Sequence, residues 1–423
     1  MRAEKNNIFL GIDWILVLLY ILLIGFGWMS IYAASITEES TVIFDLNTRY
    51  GKQLLWIGLC IPLIIFILFF NSKFYEKFAS ILYFIGILSL AGLFIFGKNI
   101  NGATSWYNFG FMGLQPSEFA KAFTALAVAK LLSDKQYNLK LIKNQIKAFI
   151  IIFLPAFLIA LQPDLGSVLV YLSFFFVLNR EGLTLNYILL GSLAILLFLL
   201  TLLFGPIIVT GIMFAIISVL VFYFLKRNKG YFKFNWHKIL GVYALIAIFI
   251  FSTSYTYNNV FEQHHRDRFD ILLGISKDTK RIGYNTQQSL QAISSGGFTG
   301  KGFLQGDRTQ GKFVPEQDTD YIFSAVGEEW GFLGSTFVIV LFMLLLFRII
   351  YLADTHKNKF GRIYGYSLAS ILFFHVFINI GMVMQLLPTV GIPLPFFSYG
   401  GSSLWGFTLL LFIFIKLDAN KGY

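Results

Sequence analysis

Residues 258–330 read NNVFEQHHRDRFDILLGISKDTKRIGYNTQQSLQAISSGGFTGKGFLQGDRTQGKFVPEQDTDYIFSAVGEEW, the longest polar segment of an otherwise apolar chain. The stretch carries carboxylates, a cluster of cations and glycines in tight groups, and apolar runs border it at 238–257 and 333–352. Long loops in compact proteins are functional or disordered. This one is too rich in aromatic and aliphatic residues for disorder. It reads as an ordered cap over a membrane-embedded site.

Outward from that cap the chain is lipid-soluble. Of 423 residues, 57% are hydrophobic and 13% charged, against roughly 25% charged in a soluble domain. Mean hydropathy is +0.71. Apolar runs lie at 12–35, 53–70, 78–97, 115–133, 147–162, 165–179, 185–204, 207–225, 238–257, 333–352, 363–387 and 400–417. The pair around Gln162-Pro163-Asp164 is alternatively one broken helix. This pattern predicts an all-α polytopic membrane protein, a single integral domain over 1–423. The first run is too long for a cleavable signal peptide and lacks a cleavage site, so it reads as a permanent span. The lone cysteine, Cys60, excludes an intramolecular disulfide, and the histidines lack metal-ligand spacing.

The net charge of +11 is no argument for nucleic acid, because cations in a membrane protein concentrate in cytoplasmic loops. With the N-terminus in the cytoplasm, every inside loop carries a lysine or arginine. The segment 98–114, the QPDLG turn, the turn at 387–401 and the long polar loop then lie outside. That loop breaks the charge rule with Arg266, Arg268, Lys277, Lys280, Arg281, Lys301, Arg308 and Lys312. These cations are either a solvated surface near lipid head groups or an anion-binding funnel.

Polar residues also stand at membrane depth. Glu118 and Lys121 are three apart on the fourth run and share a helix face. Intramembrane ionisable residues point to function when a partner is named, though pairing that only holds helices together is an equal reading. Asp164, after a helix-ending proline, reads as an N-cap before it reads as a chemical group. Trp106 reads as an interfacial anchor, with stacking on a sugar or head group as the alternative. Pro388, Pro393 and Pro395 with Gly391, Gly400 and Gly401 predict a rigid re-entrant turn. His375, Asn379 and Gln385 default to helix–helix hydrogen bonds. No P-loop, Rossmann, HExxH or GxSxG pattern occurs.

Five stretches carry a resemblance: GATSWYNFGFMGLQPSEFAK at 102–121, QPDLGS at 162–167, GYNTQQSLQAISSGGFTGKGFLQG at 283–306, KFVPEQDTDYIFSAVGEEWGFLG at 312–334 and LPTVGIPLPFFSYGGSS at 387–403. On them the chain resembles the SEDS family (shape, elongation, division and sporulation), its RodA branch more than its FtsW branch. The resemblance implies a helical bundle of about ten core spans and a membrane glycosyltransferase. Such an enzyme polymerises lipid II, the undecaprenyl-pyrophosphate-linked disaccharide peptide, at the outer face of the bacterial cytoplasmic (inner) membrane, for cell elongation and shape. It also implies a class B penicillin-binding transpeptidase as partner, alongside membrane lipids. No motif demands a cofactor; a divalent cation, Mg or Mn, is compatible. The competing classes are a lipid-precursor flippase or transporter, a non-catalytic scaffold, and an FtsW-like division role.

The chain departs from the family in three places. Two extra spans form an expected hairpin at 207–257, ahead of a large extracytoplasmic loop at 258–332. The family's catalytic aspartate corresponds to Asp278, which keeps its spacing to Gly283-Tyr284 but loses the usual proline; Asp270 is the reserve. Asp318 replaces the usual histidine of the PEQHTD pattern. The implied roles are Asp278 as general base, and Lys280, Arg281, Arg266 and Arg268 as pyrophosphate cations helped by Lys121. Glu118 and Lys121 are expected as the floor of the head-group cavity and Trp106 as its cover. Asp164, Gly166, Gln288, Ser289, Gly296, Gly297, Lys301, Pro315, Glu316, Asp320, Glu328, Ser398, Gly400 and Gly401 are the structural motif residues, with Glu316, Asp320 and Glu328 ordering the loop.

Overall fold

The computed structural model describes residues 11–36, 43–100, 102–110, 112–227, 231–261, 263–275 and 282–420, and side chains for these except 100, 224, 225, 227, 231–235, 264, 265 and 282. In chain order come α1 (Trp14–Ser35), α2 (Arg49–Phe69), α3 (Ser72–Phe96), β1 (Lys98–Ile100), β2 (Ala103–Asn108), β3 (Gly113–Leu114), α4 (Pro116–Ser133), α5 (Ile142–Ala160), α6 (Leu165–Val170) and α7 (Phe174–Arg180). Then follow α8 (Asn186–Phe204), α9 (Pro206–Arg227), α10 (Tyr231–Tyr255), α11 (Gln263–Leu272), α12 (Ile282–Gly296), α13 (Asp307–Gln310), α14 (Ile322–Thr355), α15 (Lys359–Val383) and α16 (Gly401–Ala419). Two compact units result, one of residues 1–183 with 284–423 and one of residues 184–283.

Among the described residues ten helices are long and apolar enough to cross a membrane, so the chain is a multi-pass helical membrane protein. Two of the twelve expected runs are not among them. Residues 165–180 form only a short apolar segment, divided into α6 and α7 by a 3-10 turn at Tyr171–Ser173. The other is α4, whose Glu118, Lys121 and Lys130 dilute its hydropathy. It tolerates them because it lies inside the bundle. It packs on α3, α5, α15 and α16, and thirteen of its residues are buried, five of them alanines. Its neighbours need lipid-soluble surfaces; α4 needs only small ones.

A second difference is the segment before α4. It forms a small antiparallel sheet in the order β1-β2-β3, with Lys98 opposite Trp106 and Tyr107 opposite Leu114. Where β2 ends, Asn108 Oδ1 accepts from Gly110 N at 2.9 Å. Tyr107 ties the sheet to α3 through a 2.8 Å bond to the Ser89 carbonyl.

Within residues 184–283, Gly205 (φ +79°) turns the chain from α8 into α9, which opens on Pro206. The helices share a small apolar core of Leu197, Val209 and Ile250. Their outward residues, such as Ile207, Val219, Phe222 and Leu245, are large, apolar and exposed, a surface suited to lipid.

Candidate active site

Four segments of the first unit meet at one end of its helices: residues 45–49, the turn 162–164, residues 297–321 and residues 385–400. Local sequence explains each join. Pro163 stops α5, and Asp164 caps α6, Oδ1 accepting from Ser167 N at 3.1 Å and Oδ2 from Ser167 Oγ at 2.8 Å. Asp164 Oδ2 also takes Gln115 Nε2 at 3.0 Å, so the break is fixed to the start of α4. Gly166 lies against the 385–400 segment, where an added Cβ would sit 2.5 Å from the Val390 carbonyl.

Below these joins is a fully buried polar cluster. Lys121 Nζ donates to Glu118 Oε2 at 2.8 Å and to His375 Nε2 at 2.9 Å. The other ring nitrogen, Nδ1, lies 3.3 Å from the Pro393 carbonyl. A carbonyl only accepts, so Nδ1 carries the ring proton and Nε2 offers its lone pair to the ammonium. The Phe407 ring lies 5.0 Å from Nζ, completing the cation's surroundings. Lys121 is 1% and Glu118 3% exposed. The two expected floor residues are thus buried and paired, and His375, expected only as a helix–helix hydrogen bond, is the third member. Trp106 lies on β2 over Gly113, where a Cβ would stand 3.0 Å from its ring.

The cap is organised by Glu328, whose side chain is fully buried. Its Oε1 accepts from Lys301 Nζ at 2.8 Å and Arg308 N at 3.0 Å, and its Oε2 from Thr309 N and Oγ1, both at 2.8 Å. The glycine-rich stretch then joins α14 through its backbone. Lys301 N and Gly302 N donate to the Glu328 and Glu329 carbonyls, and Phe332 N and Leu333 N donate back to Gly297 and Phe298. Gly331 (φ +62°) breaks α14 at this point, and Gly300 (φ +82°) passes so close that a Cβ would meet the Glu329 carbonyl at 2.1 Å. Gly296 packs equally tightly on the Gly327 carbonyl.

The remaining motif residues knit this end together. Gln288 accepts from Arg308, and Ser289 Oγ donates to the Val383 carbonyl at 3.1 Å. Ser398 Oγ donates to the Thr319 carbonyl at 2.6 Å. Asn379 Nδ2 donates to the carbonyls of Asp320 and Ile392. Gly400 N donates to Gln53 Oε1 at 3.1 Å, and Gly401 abuts the Trp56 ring. Asp318 accepts from Arg49, with Glu316 4.0 Å from the same guanidinium. Burial holds the Asp318 carboxyl above the ordinary carboxylate range, against the pull of Arg49. Pro315 lines a cavity with these residues.

Asp278, Lys280 and Arg281 lie outside the described residues. In the second unit, Asp270 Oδ1 accepts from Tyr257, and Arg266 Nη1 donates to the Asn258 carbonyl at 3.3 Å. Arg268 lies on the same helix, α11.

The family model described as cell cycle protein, for FtsW, RodA and SpoVE, matches residues 13–215 and 185–423. The peptidoglycan glycosyltransferase RodA of Treponema pallidum is 31% identical over 430 residues, covering 97% of this chain and 98% of that one. The peptidoglycan glycosyltransferase MrdB of Escherichia coli K12 is 35% identical over 331 residues, 78% of this chain and 75% of that one. A chain from a structure of a peptidoglycan synthase complex superimposes with TM-score 0.70 at 25% identity, covering 98% of this chain and 99% of that one. Matched by the family model from residue 13 to its end, and by a 31% identical relative along 97% of its length, the chain belongs to the FtsW/RodA/SpoVE family of cell cycle proteins, the SEDS family.

Proposed function

We propose that the chain is a peptidoglycan glycosyltransferase that polymerises lipid II at the outer face of a bacterial cytoplasmic membrane, with its N-terminus in the cytoplasm. The observation that carries the reading is the Glu118–Lys121–His375 cluster, an ionisable group held inside the helices beneath a cap of loops. The relatives' own activity supports the reaction class. Their RodA and MrdB names favour the elongation role over division.

The reaction asks for a base, cations and held substrates. The acceptor sugar hydroxyl gives its proton to a carboxylate as its oxygen attacks the donor's anomeric carbon. The bond from that carbon to the pyrophosphate oxygen breaks, and the lipid pyrophosphate leaves with the electron pair. Cations stabilise the charge gathering there. Asp278 is assigned the base, by its spacing to Gly283-Tyr284. Lys280, Arg281, Arg266 and Arg268 are assigned to the pyrophosphate. Asp270 is the second choice as base, since its Oδ1 already accepts from Tyr257. Lys121 acts from within the helices, its direction set by Glu118 and His375. Mg or Mn is left as an ion the pyrophosphate carries, with no step assigned to it. A class B penicillin-binding transpeptidase is the proposed partner, supported by the structural match to a chain of a peptidoglycan synthase complex.

The test supplies lipid II in detergent to the purified chain, alone and with its candidate transpeptidase. Wild type gives glycan polymer, and Asp278→Asn loses at least about 100-fold in rate, the usual contribution of a general base. Polymer from both at equal rate moves the role to Asp270. No polymer from wild type, even with the partner, sinks the reading.

A further inference from the structure

A polar cavity of about 430 Å³ opens between the end of α1, the start of α2 and residues 312–318. The chemistry assigned above does not use it, yet its walls are built for a ligand. Two acceptors there, Asp318 Oδ2 and Gln317 Oε1, have no hydrogen-bond partner among the described residues. Both residues are 4% exposed. A buried acceptor without a donor is costly, so its retention calls for a donor from elsewhere. At the rim stands Lys312, whose ammonium has no partner among the described residues.

The backbone around the cavity is strained. Lys312 (φ +52°) and Glu316 (φ +55°) are two of the six non-glycine residues with positive φ among those described. Such outliers persist where the surroundings over-determine them, and they gather at ligand sites. Arg49 is locked in the wall by Asp318 Oδ1, so it presents a fixed second cation rather than a mobile one.

The ligand that complements these walls carries N–H donors at one end and a carboxylate at the other. No aromatic ring lines the cavity among the described residues, so a sugar face finds no stacking platform. We infer that this cavity is a subsite for the peptide of the disaccharide-peptide substrate. Peptide N–H or amine groups donate to Asp318 Oδ2 and Gln317 Oε1, and a peptide carboxylate pairs with Lys312 beside Arg49. The inference rests on the lipid II reading and adds a part of the substrate to it.

The test compares lipid II with the same lipid-pyrophosphate disaccharide lacking its peptide, using the full chain and its partner. For wild type the KM for the peptide-free substrate is expected about tenfold above that for lipid II, as one charge-assisted contact provides. In Lys312→Gln that ratio falls to about one through a higher KM for lipid II. Glutamine meets the same backbone demand at this position, and Gln317→Leu, which removes an acceptor without touching charge, should also narrow the ratio. Equal ratios in wild type and Lys312→Gln overturn the subsite. So does a Lys312→Gln variant that raises both KM values alike, as a pyrophosphate site here would require. A wild type that makes no polymer from lipid II overturns the polymerase reading and the subsite with it. Polymer with an unchanged ratio overturns the subsite alone.

Discussion

Glu118 and Glu328 are both buried carboxylates, and each meets a lysine at 2.8 Å. Their remaining partners differ in kind. Around Glu118 the contacts come from side chains, with the lysine on its own helix bridging to His375 on α15. Around Glu328 they come mainly from a loop, including two backbone amides and the Thr309 hydroxyl. The first is a joint between two helices, made by buried side chains. The second fastens a loop to a helix. The same charge pair should therefore be much harder to break in the first place than in the second.

The largest expected effect is Lys121→Met. It leaves Glu118 buried without its cation, at a cost of about 3–5 kcal/mol, read as a fall in Tm in detergent. Adding Glu118→Gln should restore more than half of the loss. A double-variant loss equal to the sum of the Lys121→Met and Glu118→Gln losses would mean that the pair is not energetically coupled.

Glu328→Gln comes next, with a loss of about 1.5–3 kcal/mol as charge-assisted bonds weaken. Its signature is local. Amide exchange at Arg308 and Thr309 should quicken and proteolysis within 297–312 should increase, while amides of α4 and α15 stay protected. Exchange that rises equally in both regions would erase the distinction between joint and fastening.

Gly300→Ala tests the same fastening through its backbone. The positive φ and the 2.1 Å approach to the Glu329 carbonyl predict a loss of about 1–3 kcal/mol. The effect should appear in the cap and leave the Glu118 cluster intact by the same exchange measurement.

The smallest effect is alkaline. Glu328, and then Asp307, raise the Lys301 ammonium above its ordinary value of 10.5. A raised folded-state value means the contribution is fully present below pH 10.5 and lost as pH rises through the folded value. Thermal denaturation between about pH 9 and pH 12 should show the decline, worth under about 1 kcal/mol for a partly exposed lysine. In Glu328→Gln it should flatten.

The local features were legible in the sequence. Proline ahead of Asp164 announces a stop and a cap, and the Glu118–Lys121 spacing announces a shared helix face. The prolines and glycines of 388–401 announce a turn that is not a helix. What the sequence did not disclose is pairing across distance. His375 lies 254 residues from Lys121, and Asp318 lies 269 from Arg49; no periodicity links such positions. The position of α4 was hidden for a related reason. Hydropathy separates lipid-facing from water-facing residues, whereas α4 faces other helices, where smallness matters more than apolarity. The strands β1, β2 and β3 are hidden because the glycines and asparagines around them mark turns more loudly than such short strands mark a sheet.

The break at Gly331 has a consequence for the order of assembly. Past the break, residues 332–355 are helical and long enough to cross a bilayer, and α14 packs on α1 and α15. The four backbone bonds that clasp residues 297–302 to α14 join partners close in sequence. Loop-closure entropy is then small, because a short stretch of chain separates the two sides. The clasp is thus a local closure, whereas Thr319 and Asp320 are held by Ser398 and Asn379, made later in the chain.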